Sequence, residues 1–132
     1  MLPPLRLQMK MRARIGVDLV QISKMAELME DEAFLRRVFH PPELLDRRPE
    51  RLAGVFAAKE ALFKALGTTR LWLEAEVGWD AAGRPELRVA GEAVPAGLLS
   101  LDLSITHEGE YAVAAVVVLL SEEETNGSQN PI

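Results

Sequence analysis

The stretch LAGVFAAKEALFKALG, residues 52–67, predicts the longest helix of this chain. Alanine and leucine, both strong helix formers, make up much of it, and Gly67 stands where a helix C-terminal cap belongs. The larger apolar residues recur at helical spacing: Leu52, Val55, Phe56, Leu62, Phe63 and Leu66. The sequence therefore predicts a helix from Arg51 to Leu66 with one stripe buried in a core.

The segments before this helix predict a strand and a further helical region. RIGVDLV, residues 14–20, has the pattern of a buried strand with one polar interruption. Apolar residues over 23–39 approximate helical spacing, with a break near Ala33, and the two prolines at 41–42 end that helix. Residues 43–51 predict a charged connector with some helical character.

After the helix the hydrophobic pattern changes to the alternation typical of strands. A turn is predicted at 80–83, a loop or short helix at 91–99 and a tight connection at 107–110. Strands are predicted at 71–79, 86–90, 101–106 and 111–120. Because hairpin-type connections dominate this half, the sequence predicts an α+β fold, a single domain with an antiparallel sheet packed with helices.

Composition excludes several classes of function. The 132 residues carry 15 Lys+Arg and 20 Asp+Glu, a net charge of −5, and no cysteine. Without cysteine there is no disulfide framework, thiolate nucleophile or Cys-ligated metal centre. The acidic balance argues against a nucleic-acid partner, and the longest apolar run, 111–120, is about half the ~20 residues of a membrane-spanning helix. We therefore expect a cytoplasmic protein with no nucleic-acid or membrane partner.

Both ends of the chain differ in composition from the rest. Residues 1–13 show no sustained period and are expected to be a flexible N-terminal extension. Residues 121–132 are polar and are expected to be a disordered tail. The predicted domain is residues 14–120.

Two groups of charged residues could carry chemistry. Asp18 interrupts an apolar strand, so it either faces solvent on an edge strand or acts as a metal ligand or general base. Glu60 and Lys64 share a helix face, and they form either a surface ion pair or a carboxylate and an ammonium directed at one ligand. Lys59 falls inside the apolar stripe and could extend along it to solvent. A hard cation held by a few carboxylate oxygens, with a lysine beside it, suits a phosphate or pyrophosphate.

A third group lies in SITHE, residues 104–108. Strand alternation places Ser104 and Thr106 on one side, and His107 begins the turn. This is either a hydroxyl-rich hairpin with a half-exposed histidine or part of a binding site. The chain has no Gly-x-Ser-x-Gly motif and no glycine-rich phosphate loop, so a bound phosphate must be held by side chains and a metal.

Together these segments resemble holo-acyl-carrier-protein synthase, the small bacterial type of 4′-phosphopantetheinyl transferase. The resemblance is specific because four segments occur in order over nearly all of residues 14–120, although each alone is weak. They are IGVDLV at 15–20, LAGVFAAKEALFKALGT at 52–68, GRP at 83–85 and SITHEGEYAVA at 104–114. The resemblance implies a 4′-phosphopantetheinyl transferase-like fold over residues 14–120.

The resemblance also implies an enzyme of fatty-acid biosynthesis. It would transfer the 4′-phosphopantetheine group of coenzyme A to a serine of an apo acyl carrier protein and release 3′,5′-ADP. Asp18 and Glu60 are expected to hold Mg²⁺. The expected catalytic residues are Asp18, Glu60 and Lys64, and the general base is expected to be Glu60 or a metal-bound water. Residues expected to contact or border coenzyme A, or in the case of Lys59 to order the site, are Lys59, Lys64, Arg84, Pro85, Ser104, Thr106 and His107. A homotrimer with active sites between subunits is implied as well.

The chain departs from the family pattern in places that concern its partners. The family's first helix presents arginines to an acidic carrier protein, whereas AELMEDEAF at 26–34 is acidic here. Either docking takes place at Lys24, Arg36 and Arg37, or the carrier is unusual. Arg47, Arg48 and Arg51 either extend that surface or are simply solvated.

Three further positions differ: Arg14 and Thr69 stand where glycine is usual, and Val55 where arginine is usual. These differences leave open a non-catalytic module of the same fold that binds coenzyme A or a nucleotide. A plain protein-interaction domain is a third alternative.

Overall fold

A computed structural model describes residues 10–68 and 71–122. In chain order the elements are β1 (Lys10–Gln21), α1 (Ile22–Leu28), α2 (Glu32–Val38), α3 (Pro49–Leu66), β2 (Ala75–Trp79), β3 (Pro85–Val89), β4 (Leu98–Glu108) and β5 (Tyr111–Glu122). Short 3-10 turns lie at Pro41–Leu45, Trp72–Glu74 and Gly91–Ala93. Most of the predicted N-terminal extension, the predicted tail beyond Glu122 and the departure at Thr69 lie outside the described residues.

The strands form two antiparallel sheets. The larger sheet has the order β1-β5-β4, and β2 pairs with β3 in a separate hairpin. In the larger sheet Asp18 of β1 lies opposite Ala114 of β5, which in turn lies opposite Ile105 of β4. These three residues occupy one level of the sheet, and this register places Asp18 and His107 on the same face.

Helix α3 packs across this inner face of the larger sheet at very short range. A Cβ on Gly16 of β1 would overlap the backbone carbonyl oxygen of Ala61 in α3. A Cβ on Gly54 of α3 would come within 2.9 Å of Ile105 Cγ2 on β4. Small buried side chains dominate the contact on the β5 side: Ala112, Ala114, Val116 and Val118. Glycine on both sides of this interface therefore sets the distance between α3 and the sheet.

An aromatic cluster covers the opposite side of α3. Phe56 stacks on Trp72 with ring centroids 5.0 Å apart, and Phe63 meets the same ring edge-on at 5.1 Å. Phe34 of α2 packs on Phe56 at 6.0 Å. These contacts bind α2 and the Trp72–Glu74 turn to α3, so the core lies on both sides of that helix.

The outer face of the larger sheet is apolar and exposed. On β1, Ile15 is 72%, Val17 is 52% and Leu19 is 60% exposed, and Val117 on the neighbouring β5 is 40% exposed. Ile15, Val17 and Leu19 lie on one face of β1, and Val117 lies opposite Ile15 in the register, so these residues form a continuous surface. A patch of this kind marks an interaction surface.

The predicted fold class, α+β with an antiparallel sheet packed with helices, is confirmed. The domain boundaries differ, because residues 10–13, predicted as part of the flexible extension, belong to β1 and pair with residues 119–122. The predicted helix over 23–39 is two helices. They separate at Asp31, whose side chain accepts hydrogen bonds from the backbone N–H groups of Ala33 and Phe34 and so begins α2.

The strand predicted over residues 71–79 is wrong in its first half. The Trp72–Glu74 turn replaces it, because the Trp72 ring is held between Phe56 and Phe63 and its carbonyl accepts a hydrogen bond from Lys59. These tertiary contacts outweigh the alternating pattern of the local sequence. Within residues 10–68 and 71–122 no helix is long and apolar enough to cross a bilayer.

Replacing Gly16 with alanine is expected to destabilise the protein by about 1–3 kcal/mol, because the added methyl forces α3 away from β1. The measurement is urea denaturation followed by circular dichroism. Gly78→Ala is the matched control, since its Cβ would meet only Arg88 Nη2 at 3.5 Å, an ordinary contact. Equal stability of the Gly16→Ala variant and the wild type would show that this close approach does not set the packing.

Candidate active site

Asp18 projects from the inner face of β1 towards α3. Its Oδ1 lies 3.1 Å from Lys64 Nζ, and the same ammonium donates to the Val17 carbonyl at 2.9 Å. The Asp18 side chain is 14% exposed and that of Lys64 is 56% exposed. The polar interruption of the strand therefore points at the helix, into a pair that solvent and ligands can reach.

Glu60 belongs to the same flank of α3. It lies one turn before Lys64, and residues at this spacing have Cβ atoms about 5–6 Å apart. Ala61, which contacts Gly16, fixes this flank against β1. Asp18 therefore pairs with Lys64, and Glu60, from a distant part of the sequence, lies one helical turn before that lysine.

This donor set suits one kind of metal. Among the described residues no group of three or more His, Asp or Glu side chains forms a complete metal cage. Mg²⁺ does not need one, because it is commonly held by one or two carboxylates, waters and substrate phosphate oxygens. Asp18 and Glu60 therefore fit Mg²⁺ if a phosphate-bearing substrate completes the coordination.

A cavity of about 230 Å³ lies beside the N-terminal half of α3. Its walls come from α3 and the residues before it, from the β2–β3 hairpin and from β4. They are formed by Arg48, Glu50, Arg51, Gly54, Trp79, Gly83, Pro85, Ile105 and His107. We call this cavity the basic pocket.

The guanidinium groups of the basic pocket are held in place. Arg51 Cζ lies 3.6 Å from the centroid of the Trp79 ring, a cation–π contact. Arg48 donates from Nη2 at 2.7 Å and from Nε to Asp46, and these hydrogen bonds lower the pKa of Asp46 to about 2. Arg48, Arg51 and His107 line this cavity together with the Glu50 carboxylate. Because Arg48 is paired with Asp46, Arg51 and His107 are the groups that best suit an anion such as a phosphate. The sequence suggested only carrier docking or solvation for Arg48 and Arg51, and it gave no signal of the contact with Trp79.

The structure does not bring together all of the residues predicted to border coenzyme A. Pro85 and His107 line the basic pocket. Ser104 instead lines a groove of about 360 Å³ on the outer face of the sheet, together with Ile15 and Val17 of β1. Thr106 follows Ser104 in the alternation and is exposed, as is Arg84. Within one chain, Ser104 and Thr106 therefore do not join His107.

The structure corrects the prediction that Lys59 could contact coenzyme A or extend to solvent. Its side chain is fully buried, and its ammonium donates to the Val38 carbonyl at 2.7 Å, to Glu43 Oε1 at 2.8 Å and to the Trp72 carbonyl at 3.1 Å. An ammonium has three N–H donors, and all of them are used. Neither contact with a phosphate nor extension to solvent is compatible with this arrangement. The expectation that Lys59 orders the site stays a prediction.

Glu60, with the Asp18–Lys64 pair beside it, lies on one flank of α3, and the basic pocket lies on the opposite flank. Glu60 is nine residues after Arg51, which corresponds to about 14 Å along the axis and to opposite sides of an α-helix. Lys64 reaches β1 at one edge of the sheet, whereas Gly54 and Ile105 meet near β4 at the other edge. One chain therefore presents two half-sites that face away from each other.

The residues predicted to dock a carrier protein are all exposed: Lys24 on α1, and Arg36 and Arg37 in the last turn of α2. Arg47 is paired with Glu32 at 2.8 Å, which leaves less of its charge for a partner.

Comparisons with known proteins agree on one family. The family model described as 4′-phosphopantetheinyl transferase superfamily matches residues 14–116. A curated relative from Trichlorobacter lovleyi, a holo-(acyl-carrier-protein) synthase, is 40% identical, and the match covers 79% of this chain and 94% of that protein.

Solved structures show the same relationship. The holo-(acyl-carrier-protein) synthase of Bacillus anthracis in complex with CoA (3′,5′-ADP) matches with a TM-score of 0.69 and 33% identity, over 85% of this chain and 100% of that one. The Helicobacter pylori enzyme in complex with coenzyme A matches with a TM-score of 0.71 and 29% identity, over 79% of this chain and 98% of that one. This chain therefore belongs to the 4′-phosphopantetheinyl transferase superfamily, among relatives that are holo-(acyl-carrier-protein) synthases.

Proposed function

We propose that this protein transfers the 4′-phosphopantetheine group of coenzyme A to a serine of an apo acyl carrier protein, with Mg²⁺, and releases 3′,5′-ADP. The observation that carries the proposal is the pairing of Asp18 with Lys64 at the contact between β1 and α3, with Glu60 one helical turn before that lysine. Family membership supplies the substrates, because relatives are named for this activity and some bind coenzyme A.

The reaction is a displacement at phosphorus. The serine oxygen attacks the β-phosphorus of the coenzyme A pyrophosphate, and the bond from that phosphorus to the bridging oxygen breaks. The electron pair leaves with 3′,5′-ADP, and the serine proton passes to a base. The demands on the protein are to neutralise the pyrophosphate, align the hydroxyl and accept this proton.

Asp18, Glu60 and Lys64, which we call the β1–α3 cluster, can meet these demands. Asp18 and Glu60 would hold Mg²⁺, which supplies positive charge to the pyrophosphate oxygens. Lys64 is exposed beside both carboxylates and would contact a phosphate, so that its charge also balances that of the leaving group. The serine proton would pass to Glu60 or to water.

The basic pocket would take the nucleotide end of coenzyme A. Arg48, Arg51 and His107 would bind its phosphate, and Gly83 and Pro85 would border the adenosine. Val55 has an apolar side chain and is buried, so the basic contact usual at that position is missing, whereas Arg51, one turn earlier, lines the pocket. Arg51 therefore offers a replacement for that contact.

A homotrimer would join the two half-sites. The half-sites of one chain face away from each other on α3, so a single substrate would bridge the carboxylates of one copy and the basic pocket of the next. The exposed apolar face that contains Ile15, Val17 and Leu19 offers the surface on which copies can associate. Ser104 lies on this face, where it could reach a neighbour's substrate.

The carrier protein is expected to be acidic and to dock at Lys24, Arg36 and Arg37. These three cations are exposed, and the acidic residues of 26–34 limit the approach of an acidic partner from that side. The cytoplasmic location stays a prediction.

The Asp18→Asn and Glu60→Gln variants are each expected to lower transfer at least ~100-fold, because each removes one negative charge from the cation site. The measurement is mass spectrometry of apo carrier protein incubated with coenzyme A and Mg²⁺, with circular dichroism to confirm folding. The control is Glu86→Gln, which removes the charge of an exposed carboxylate on β3. This variant should transfer phosphopantetheine at the wild-type rate. Wild-type activity in either site variant would overturn the metal assignment.

Arg51→Ala is expected to raise the KM for coenzyme A about 10-fold or more and to change the KM for the carrier protein little, because a charge-assisted hydrogen bond to phosphate is lost. The matched control is Arg88→Ala, an exposed arginine of the β2–β3 hairpin outside the pocket. Steady-state kinetics with each substrate varied in turn provide the measurement. An equal rise in both KM values would contradict a nucleotide role for Arg51.

Mixing two inactive variants tests the shared site. Asp18→Asn chains and Arg51→Glu/His107→Ala chains, unfolded and refolded together at equal concentration, are expected to recover about a quarter of wild-type activity. That fraction follows because one site in four receives both intact half-sites when chains assemble at random. Each variant refolded alone is the control, and no recovery in the mixture would place the whole site within one chain.

Light scattering provides the companion measurement of the oligomer. The wild type is expected at three times the chain mass of 14.6 kDa, and Ile15→Glu/Val17→Glu at a lower mass. Leu45→Glu, at an exposed leucine outside the apolar face, should keep the wild-type mass. A monomeric wild type would contradict the trimer.

A further inference from the structure

The Glu43–Lys59 pair is buried, charged and outside the β1–α3 cluster. Both side chains are fully inaccessible, and their charged atoms lie 2.8 Å apart. Glu43 Oε1 also accepts the His40 backbone N–H at 2.7 Å, and Oε2 accepts the Val77 backbone N–H at 2.7 Å. One carboxylate therefore holds three donors from three separate parts of the chain.

Stability alone does not explain such a pair. Burial lowers the pKa of Lys59, with Glu43 opposing the shift, which shows how costly the ammonium is in this place. Apolar residues of similar volume often serve equally well or better at buried ion pairs. What an apolar pair cannot do is accept the N–H groups of His40 and Val77, and thereby fix the turn and the strand to one point.

Two of the three parts that meet at this carboxylate, α3 and β2, supply walls of the basic pocket, and the third leads into one. The Pro41–Leu45 turn leads directly into the segment that carries Arg48. Val77 lies two residues before Trp79 on β2, and Lys59 is on α3, which carries Arg51. The contact between Arg51 and Trp79, at 3.6 Å, therefore spans two of the elements that Glu43 joins.

We propose that Glu43 is a positioning residue for the basic pocket: by accepting hydrogen bonds from Lys59, His40 and Val77 it sets the relative positions of Arg48, Arg51 and Trp79. The nature of the ligand, the nucleotide end of coenzyme A, rests on the proposed function, whereas the positioning does not. Glu43 touches no substrate in this arrangement and acts only through the pocket residues.

Two variants test this role. Glu43→Gln keeps the shape but loses the charge and one acceptor, and Glu43→Met/Lys59→Met removes the pair without leaving a buried charge. Both are expected to raise the Kd of 3′,5′-ADP, measured by calorimetry, ~10-fold or more, because small displacements of binding groups are costly. Their kcat at saturating coenzyme A should stay within about twofold of the wild type, since the carboxylates of the β1–α3 cluster are on the other flank of α3.

The matched control is Val118→Ala, a buried truncation on β5 that loses stability without touching the pocket. It should keep the wild-type Kd, which separates positioning from general destabilisation. If Glu43→Gln does not fold, the double variant decides. A folded double variant with wild-type Kd for 3′,5′-ADP would overturn the proposal.

A ligand-free crystal structure of the double variant separates this inference from the proposed function. We expect the distance from Arg51 Cζ to the Trp79 ring to rise above 3.6 Å in that variant. An unchanged distance overturns the positioning role even if coenzyme A is the substrate. A wild type that binds no 3′,5′-ADP overturns the proposed nucleotide site, and the distance then still tests the role of Glu43.

Discussion

The contact between Gly16 and the Ala61 carbonyl is the constraint on which the candidate site depends. No side chain fits between β1 and α3 at this point, so the strand and the helix backbone lie directly against each other. Because of this approach, Lys64 reaches both Asp18 and the Val17 carbonyl, and Glu60 lies one turn away on the same flank. A packing distance thus brings the strand that carries Asp18 against the helix that carries Glu60, although these residues are some forty positions apart in sequence.

Lys59 and Lys64 lie five residues apart on α3, so they point to different sides of the helix and have different roles. Lys64 points along the β1 flank and keeps its ammonium exposed to a ligand. Lys59 points to the aromatic side of α3, where two carbonyls and one carboxylate use every donor it has. Lys64 is therefore available to bind a ligand, whereas Lys59 joins structural elements. Through Glu43, Lys59 is connected to the elements that carry Arg51 and Trp79 of the basic pocket.

Sequence reasoning reached the fold class, α3 with its Gly67 cap, and the hairpin of β4 and β5, because these depend on local periodicity and turn residues. It also singled out Asp18, Glu60 and Lys64, since charged residues within apolar patterns are conspicuous. It failed at Trp72, where a ring packed between two phenylalanines outweighs strand alternation. It did not identify Glu43 as the partner of Lys59, because the two residues are sixteen positions apart in sequence. The stacking of Arg51 on Trp79 and the separation of Ser104 from His107 depend on how distant elements are arranged, which no local pattern encodes.

The central claim is that Asp18 and Glu60 jointly hold one divalent cation against the pyrophosphate of coenzyme A. The most direct measurement is a crystal structure of the wild-type protein with coenzyme A and Mn²⁺, in which anomalous scattering locates the metal. The account predicts one peak about 2.1 Å from an oxygen of each carboxylate and from a pyrophosphate oxygen, with the nucleotide in the basic pocket of the adjacent copy. A metal bound away from either carboxylate, or coenzyme A bound with its pyrophosphate far from both, would contradict it.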